Sequence, residues 1–214
     1  LLPPRIDYIH PIVLGLDWLR VLFVEPPKDF WFVMGEYLPP PLGILQIAAY
    51  LESKDRNVEI DVVDCQAEWL DWRGLERRIE SFEPDIVAPS SVATCNAYVE
   101  LRTVEIAKKL DPEVLTVVGG QHFTSLAEES LEKYPEIDVV VRGEGEETFF
   151  EIVKRLSEKK SFSGVKGISF RHAGKIIHNP PRALIKNLND LPFPGYHFVE
   201  KVVHRYHFKM MAGP

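Results

Sequence analysis

Cysteine is scarce in this sequence, since Cys65 and Cys95 are its only two cysteines in 214 residues. Two thiols so far apart cannot form the closely spaced ligand set of an iron–sulfur cluster or a structural zinc site. We therefore expect no metal site in the chain. We also expect both thiols to be reduced and unliganded.

Positive charge and long apolar runs are also lacking. The formal net charge is −7 and the isoelectric point is near 5.5, which argues against a nucleic-acid partner, because phosphate binding needs clustered Lys and Arg. No run approaches the roughly 18 apolar residues of a membrane span, and the start does not resemble a signal peptide. We expect a cytoplasmic protein without a membrane partner. Because the sequence begins with Leu1-Leu2 and not with Met, we expect it to be a fragment of a longer protein.

Five short apolar runs recur at intervals of about 25 to 35 residues, the length of a βαβ unit. They are residues 20–25, 58–64, 85–89, 114–118 and 138–142. Helical patterns separate them, and Ser125 with Glu128 fits a capping box that would start a helix just after residues 119–122. The pattern predicts an α/β fold with a flavodoxin-like, doubly wound, five-stranded parallel sheet in strand order 2-1-3-4-5. Ligands of such sheets bind at the carboxyl ends of the strands.

The pattern changes near residue 161. Residues 166–171 and 176–178 flank a turn and predict an antiparallel β-hairpin. The Pro-rich stretches 179–181 and 191–195 then predict a linker, because Pro fixes φ and removes a hydrogen-bond donor. We therefore divide the chain into a Rossmann-like domain, residues 18–160, and a hairpin with a linker toward a neighbouring domain, residues 161–214.

Several nucleotide-binding signatures are missing from the loops that follow these strands. The loop after strand one is long and aromatic, with no G-x-G-x-x-G, no P-loop and none of the hydroxyls that a flavin mononucleotide site would need. Strand three ends in Ala88-Pro89, without the phosphorylatable Asp of a receiver domain. No catalytic triad or metal-ligand spacing is present. We predict no catalytic residue in this chain.

Small polar side chains crowd the loop after strand three. Ser90, Ser91 and Thr94 could each hydrogen-bond the polar edge of a cofactor. Helix capping explains them equally well, because Ser and Thr are favoured at helix starts. They remain candidate cofactor contacts beside that structural alternative.

The loop after strand four contains paired glycines. Gly119 and Gly120 would let the backbone approach a flat ligand closely, whereas an ordinary turn usually needs one glycine. His122 follows them and is either a cofactor contact or an ordinary loop histidine.

Glycines also surround a carboxylate after strand five, at Gly143, Glu144 and Gly145. A solvated first helical turn accounts for the glutamate but not for the glycines. Pro26 and Pro27, which open the loop after strand one, complete the set of candidate cofactor contacts.

Four segments resemble the N-terminal cobalamin-binding domain of cobalamin-dependent radical SAM enzymes. They are PPPLGIL at 39–45, VVGGQHFT at 117–124, VVRGEGE at 140–146 and LPFP at 191–194. Their order and spacing carry the resemblance, which spans residues 20–196. It implies a corrin held against the strand carboxyl ends and a radical SAM barrel in the missing part of the protein. It further implies a methyltransferase or a related carbon-skeleton enzyme, in which the corrin carries a methyl group.

Two departures from known cobalamin and radical SAM patterns limit what this chain can do. The C-x-x-x-C-x-x-C motif is absent, so S-adenosylmethionine and a four-iron four-sulfur cluster belong only to the missing domain, and the chain alone is not catalytic. The D-x-H-x-x-G motif is also absent after strand one, so cobalamin would bind without a histidine axial ligand. The alternative hypothesis is a non-catalytic docking domain of a radical SAM protein that has lost cobalamin binding.

Overall fold

The computed structural model describes residues 18–28, 37–90 and 94–208, in which strands and helices alternate along most of the chain. The strands are β1 (Leu19–Glu25), β2 (Tyr37–Leu38), β3 (Val58–Asp64), β4 (Ile86–Pro89), β5 (Leu115–Val118), β6 (Val139–Val141), β7 (Ile168–His172), β8 (Lys175–His178) and β9 (His207–Phe208). The α-helices are α1 (Leu42–Lys54), α2 (Trp72–Phe82), α3 (Ala97–Leu110), α4 (Gly120–Ser125), α5 (Ala127–Lys133) and α6 (Glu146–Ser157). Short 3-10 segments cover Thr94–Asn96, Leu188–Asp190 and Tyr196–Arg205.

The main sheet is mixed and has seven strands in the order β3-β1-β4-β5-β6-β7-β8. The neighbours from β3 to β6 are parallel, and these five strands have the predicted order 2-1-3-4-5. The predicted extent of the sheet is wrong, because β7 pairs antiparallel with β6 and β8 pairs antiparallel with β7. Ile168 and Phe170 of β7 are buried, so the hairpin gains a hydrophobic contact by covering the open edge of β6.

Helices cover both faces of the sheet, because β1 alternates its side chains between two cores. Phe23 packs on the face of α1 and α6, with its ring centroid 4.8 Å from that of Phe149. Leu22 and Val24 face the other way and pack with Leu75 of α2. Strands buried on both faces explain the continuous apolar runs in the sequence.

The chain after β5 departs from the predicted capping box. The helix begins at Gly120, inside the stretch predicted to be a loop, and Ser125 is its last residue. The next helix has Leu126 at its N-cap position, without a side-chain cap. A helix does start after Ser125, at Ala127, but the predicted Ser125 cap is wrong, because Ser125 is the last residue of a preceding short helix.

The stretch predicted to be a linker packs on the domain. The Gln46 side chain donates to the Pro192 carbonyl over 2.9 Å, and the Gly195 N–H donates to the Leu45 carbonyl over 3.0 Å. Val199 and Val202 then enter the core beside α1, and β9 pairs antiparallel with β2. Residues 191–208 therefore cross α1 and return to the carboxyl edge of the sheet.

Candidate functional site

The ends of β1 and β4 lie side by side at the carboxyl edge. Pro26 and Pro27 are buried directly after β1, and the Ser90 N–H donates to the Val24 carbonyl over 3.0 Å. Thr94 is exposed at the start of its 3-10 turn. Ser91 lies outside the residues that the structure describes. The predicted contacts Pro26, Pro27 and Ser90 therefore meet at one point of the edge.

Gly119 and Gly120 have different backbone conformations. Gly119 is extended, with φ −155°, and a Cβ added there would lie 3.6 Å from the Val141 carbonyl oxygen, an ordinary contact. Gly120 has φ +81°, which disfavours every residue with a Cβ. The glycine at position 120 is therefore required by the turn itself, while Gly119 leaves space that a small side chain could fill.

His122 lies in α4, with its ring edge toward the ring of Phe123. Its Nδ1 atom is buried and has no hydrogen-bond partner among the described residues. A ligand near this edge could supply one, because buried polar atoms are usually paired.

Gly143 leaves the end of β6 bare. Its φ is +81°, and a Cβ added there would meet nothing within 4 Å. Its N–H donates to the Thr124 hydroxyl over 3.2 Å, which joins the loops after β5 and β6. Among the described residues, no side chain therefore covers Gly143 at the end of β6, and Gly119 at the end of β5 leaves room for a small one.

The structure gives Glu144 and Gly145 supporting contacts. The Glu144 Oε2 atom accepts from the Ile185 N–H over 2.6 Å and so holds the C-terminal stretch. A Cβ at Gly145 would lie 2.6 Å from Ile47 Cδ1, so this glycine permits close packing of α6 on α1. Both residues are engaged with the protein itself.

Sequence reasoning missed an acidic cluster at the other half of the edge. Glu25 and Asp64 are register partners at the ends of β1 and β3, and both are buried. Burial raises the pKa of Glu25 to about 7, against the lowering effect of Lys28. Burial also raises the pKa of Asp64, opposed chiefly by the Ala67 N–H that its carboxylate accepts. The one signal in the sequence was an acidic residue closing each of two apolar strands.

A cleft of about 970 Å³ lies at the opposite edge, between the amino ends of the parallel strands and the end of β7. Its walls carry charges of both signs, among them Asp85, Asp111, Lys160 and Arg171. None of the candidate residues lines it. The candidate residues therefore lie at the edge of the sheet away from this cleft.

Within residues 18–28, 37–90 and 94–208, no group of three or more His, Cys, Asp or Glu side chains is placed to hold a metal ion. No helix in these ranges is long and apolar enough to cross a membrane.

Residues 34–153 match the model of the B12 binding domain family. The chain belongs to this family. The matched range contains the ends of β4, β5 and β6, with the candidate residues from Ser90 to Gly145.

Curated relatives of this B12-binding domain are much longer. The chain is 36% identical over 181 residues to the uncharacterized methyltransferase PH0819 of Pyrococcus horikoshii, covering 83% of this chain and 38% of that protein. It is 29% identical over 177 residues to the anaerobic magnesium-protoporphyrin IX monomethyl ester cyclase of Rubrivivax gelatinosus, covering 80% of this chain and 31% of the cyclase. The chain thus spans about a third of the length of these relatives.

A solved structure shares the fold of this B12-binding domain. The cobalamin-dependent S-adenosylmethionine radical enzyme OxsB with aqua-cobalamin bound superposes with a TM-score of 0.72. The match covers 88% of this chain and 26% of that enzyme at 19% identity, a level at which the likeness establishes fold alone.

Proposed function

We propose that this chain is the cobalamin-binding module of a radical SAM enzyme, either a methyltransferase or a related enzyme, and that it is not catalytic alone. The observation that carries the proposal is the bare backbone at the ends of β5 and β6, in a chain of the B12-binding domain family. A flat macrocycle needs such a surface, because side chains above the strand ends would hold it away from the backbone.

The residues at this edge fit a corrin. Ser90 offers a polar contact, as does His122 Nδ1, which has no partner among the described residues. The exposed backbone at Gly120 and Gly143 and the partly exposed backbone at Gly119 offer close approach. Pro26 and Pro27 close the surface toward β1, and Thr94 borders it. Glu144 and Gly145 support it from behind through Ile185 and Ile47. Bound cobalamin would supply a cobalt centre able to carry a methyl group.

We further propose that cobalamin binds without a histidine axial ligand. Glu25 to Lys28, directly after β1, contains no histidine, and neither does the end of β4 at Ser90. His122 belongs instead to α4.

The proposed partner is a radical SAM domain of the same protein, which would hold the S-adenosylmethionine and the four-iron four-sulfur cluster. Curated relatives roughly three times as long are consistent with a further domain. Leu184, Leu188 and Phe193 support it, because their side chains are 71%, 68% and 93% exposed on a stretch that hydrogen bonds hold against Glu144 and Gln46. We expect residues 184–193 to exchange hydrogen more slowly in a longer protein than in this chain.

The deciding experiment is an absorption spectrum of the chain after incubation with hydroxocobalamin and desalting. A retained corrin band in about equimolar amount supports the proposal. Loss of the band from a folded protein favours instead a docking domain that has lost cobalamin binding.

A further inference from the structure

The acidic cluster at the ends of β1 and β3 is enclosed by the C-terminal segment of the described chain. The Arg205 guanidinium donates to the Ala67 carbonyl in the turn after β3. The Tyr206 ring packs against the core, and its hydroxyl is buried. Residues 196–208, which we name the latch, therefore cover the carboxyl ends of these two strands.

The enclosed groups carry more acid than base. Glu25 is 7% exposed and Asp64 is fully buried, while Lys28 is the cation that pairs with Glu25. Asp64 Oδ1 accepts from the N–H groups of Gln66 and Ala67, but Asp64 Oδ2 has no hydrogen-bond partner among the described residues. The Tyr206 hydroxyl is buried beside Asp64 without an ideal hydrogen-bond geometry to it. Burial raises the pKa of Asp64, the nearby hydroxyl opposes that rise by stabilising the carboxylate, and burial together with the carboxylate raises the pKa of Tyr206. Two ionised carboxylates beside one ammonium would leave an uncompensated buried charge.

We propose that closure of the latch over the ends of β1 and β3 takes up a proton, which the Glu25–Asp64 pair holds. The groups that face the pair are Lys28 from the loop after β1, Cys65 and Glu68 from the turn after β3, and Tyr206 from the latch. Arg205 of the latch lies close by, but its guanidinium is engaged with the Ala67 carbonyl. The proton removes one of the two negative charges from the enclosed space. When the latch opens, water reaches the pair and the proton is released.

Closure also reaches the candidate corrin edge. In the closed latch β9 pairs with β2, and β2 follows the loop that starts at Pro26 and Pro27. Closure of the latch is thus coupled to the pairing of β2. The inference rests on the acidic cluster and not on cobalamin, so it holds or fails independently of the proposed function.

The direction of the pH response follows from the raised pKa of Glu25, from 4.5 to about 7. The stabilisation of the closed latch is complete below pH 4.5 and is lost as the pH rises toward 7. We expect the opening equilibrium of residues 196–208 to increase by about 25-fold between pH 5.5 and pH 8. Hydrogen–deuterium exchange of this segment, corrected for the intrinsic rate at each pH, measures it.

Variants distinguish the contribution of the Glu25–Asp64 pair to the pH response from that of other titratable groups. Glu25→Gln should remove most of the pH response, and Asp64→Asn, which keeps the acceptor for Gln66 and Ala67, should reduce it. Glu59→Gln is the matched control, because Glu59 on β3 is exposed and pairs with Arg20, so it should respond as the wild type does.

Histidines of the latch need a control of their own. His197 contacts Glu52 of α1 over 3.2 Å, and His204 and His207 are exposed. His197→Asn should keep most of the pH response. The proposal is overturned if the wild-type exchange is equal at both pH values, if Glu25→Gln keeps the full response in a folded protein, or if His197→Asn abolishes it.

Discussion

At the ends of β5 and β6 the described part of the chain leaves the carboxyl edge of the sheet bare: Gly143 has open space above it and Gly119 has room for a small side chain. At the ends of β1 and β3 the same edge is covered, and Glu25 and Asp64 are buried beneath residues 196–208. The two halves are built by the same parallel sheet, so the strands alone do not decide which half can admit a ligand. The covering segment does, because it closes one half and leaves the other open.

The largest expected effect belongs to the covered half. Asp64→Ala removes the acceptor for the Gln66 and Ala67 N–H groups in a buried turn, so we expect the free energy of unfolding to fall by about 2 kcal/mol. Urea unfolding at pH 7 measures it. Asp64→Asn retains an acceptor and should lose less than about 1 kcal/mol. Equal losses in both variants would show that the buried charge, and not the two hydrogen bonds, is what matters at this position.

In the bare half, Gly120→Val combines backbone strain with obstruction of the surface. The φ of +81° makes a β-branched residue cost about 1–2 kcal/mol in stability, and cobalamin affinity should fall by about five- to a hundredfold. Gly174→Val is the matched control, because Gly174 has φ +75° in the β7–β8 turn at the opposite edge. The melting temperatures of the two variants should fall by similar amounts. In hydroxocobalamin titrations only Gly120→Val should lose affinity. A comparable loss of affinity in Gly174→Val would contradict the proposal that the corrin lies next to Gly120.

The third prediction concerns Glu144, which follows β6 in the bare half of the edge. Glu144→Ala removes the acceptor of the Ile185 N–H and should cost about 1 kcal/mol, with unchanged cobalamin affinity, since this carboxylate points to the protein. Glu113→Ala, at an exposed position of the amino edge, should change neither quantity. A loss of cobalamin affinity in Glu144→Ala without a matching loss of stability would indicate that the Glu144 side chain contacts the ligand.

The smallest effect is expected at Gly119. Its extended backbone accepts a Cβ in ordinary contact with Val141, so Gly119→Ala should change stability by no more than about 0.5 kcal/mol. Cobalamin affinity should fall by about two- to fivefold, because the methyl group enters the space of the macrocycle. Gly43→Ala adds a Cβ that meets nothing within 4 Å and is the control. Identical affinities in the two variants would place the corrin away from β5.

The sequence alone determined the parallel part of the sheet and its order. Runs such as Val21 to Val24 are apolar on both faces, and strands of that kind are buried between helices, as α1 and α2 bury β1. It also marked Gly119 and Gly143 as candidate cofactor contacts, because glycines just after strand ends can be recognised without knowledge of a distant partner.

Only the tertiary structure decided the rest. Residues 168–178 joined the sheet because they pair with β6. Residues 191–208 folded back onto the domain because they contact α1, which is far away in the sequence. The sequence cannot tell the conformations of Gly119 and Gly120 apart, because both are glycines. In the structure Gly119 is extended and Gly120 has a positive φ. Glu25 and Asp64 become a buried pair only because β1 and β3 are neighbours and residues 196–208 cover them. The local sequence pattern indicates which faces of a strand or helix are apolar. The charge and exposure of a site depend on which distant segments of the folded chain cover it.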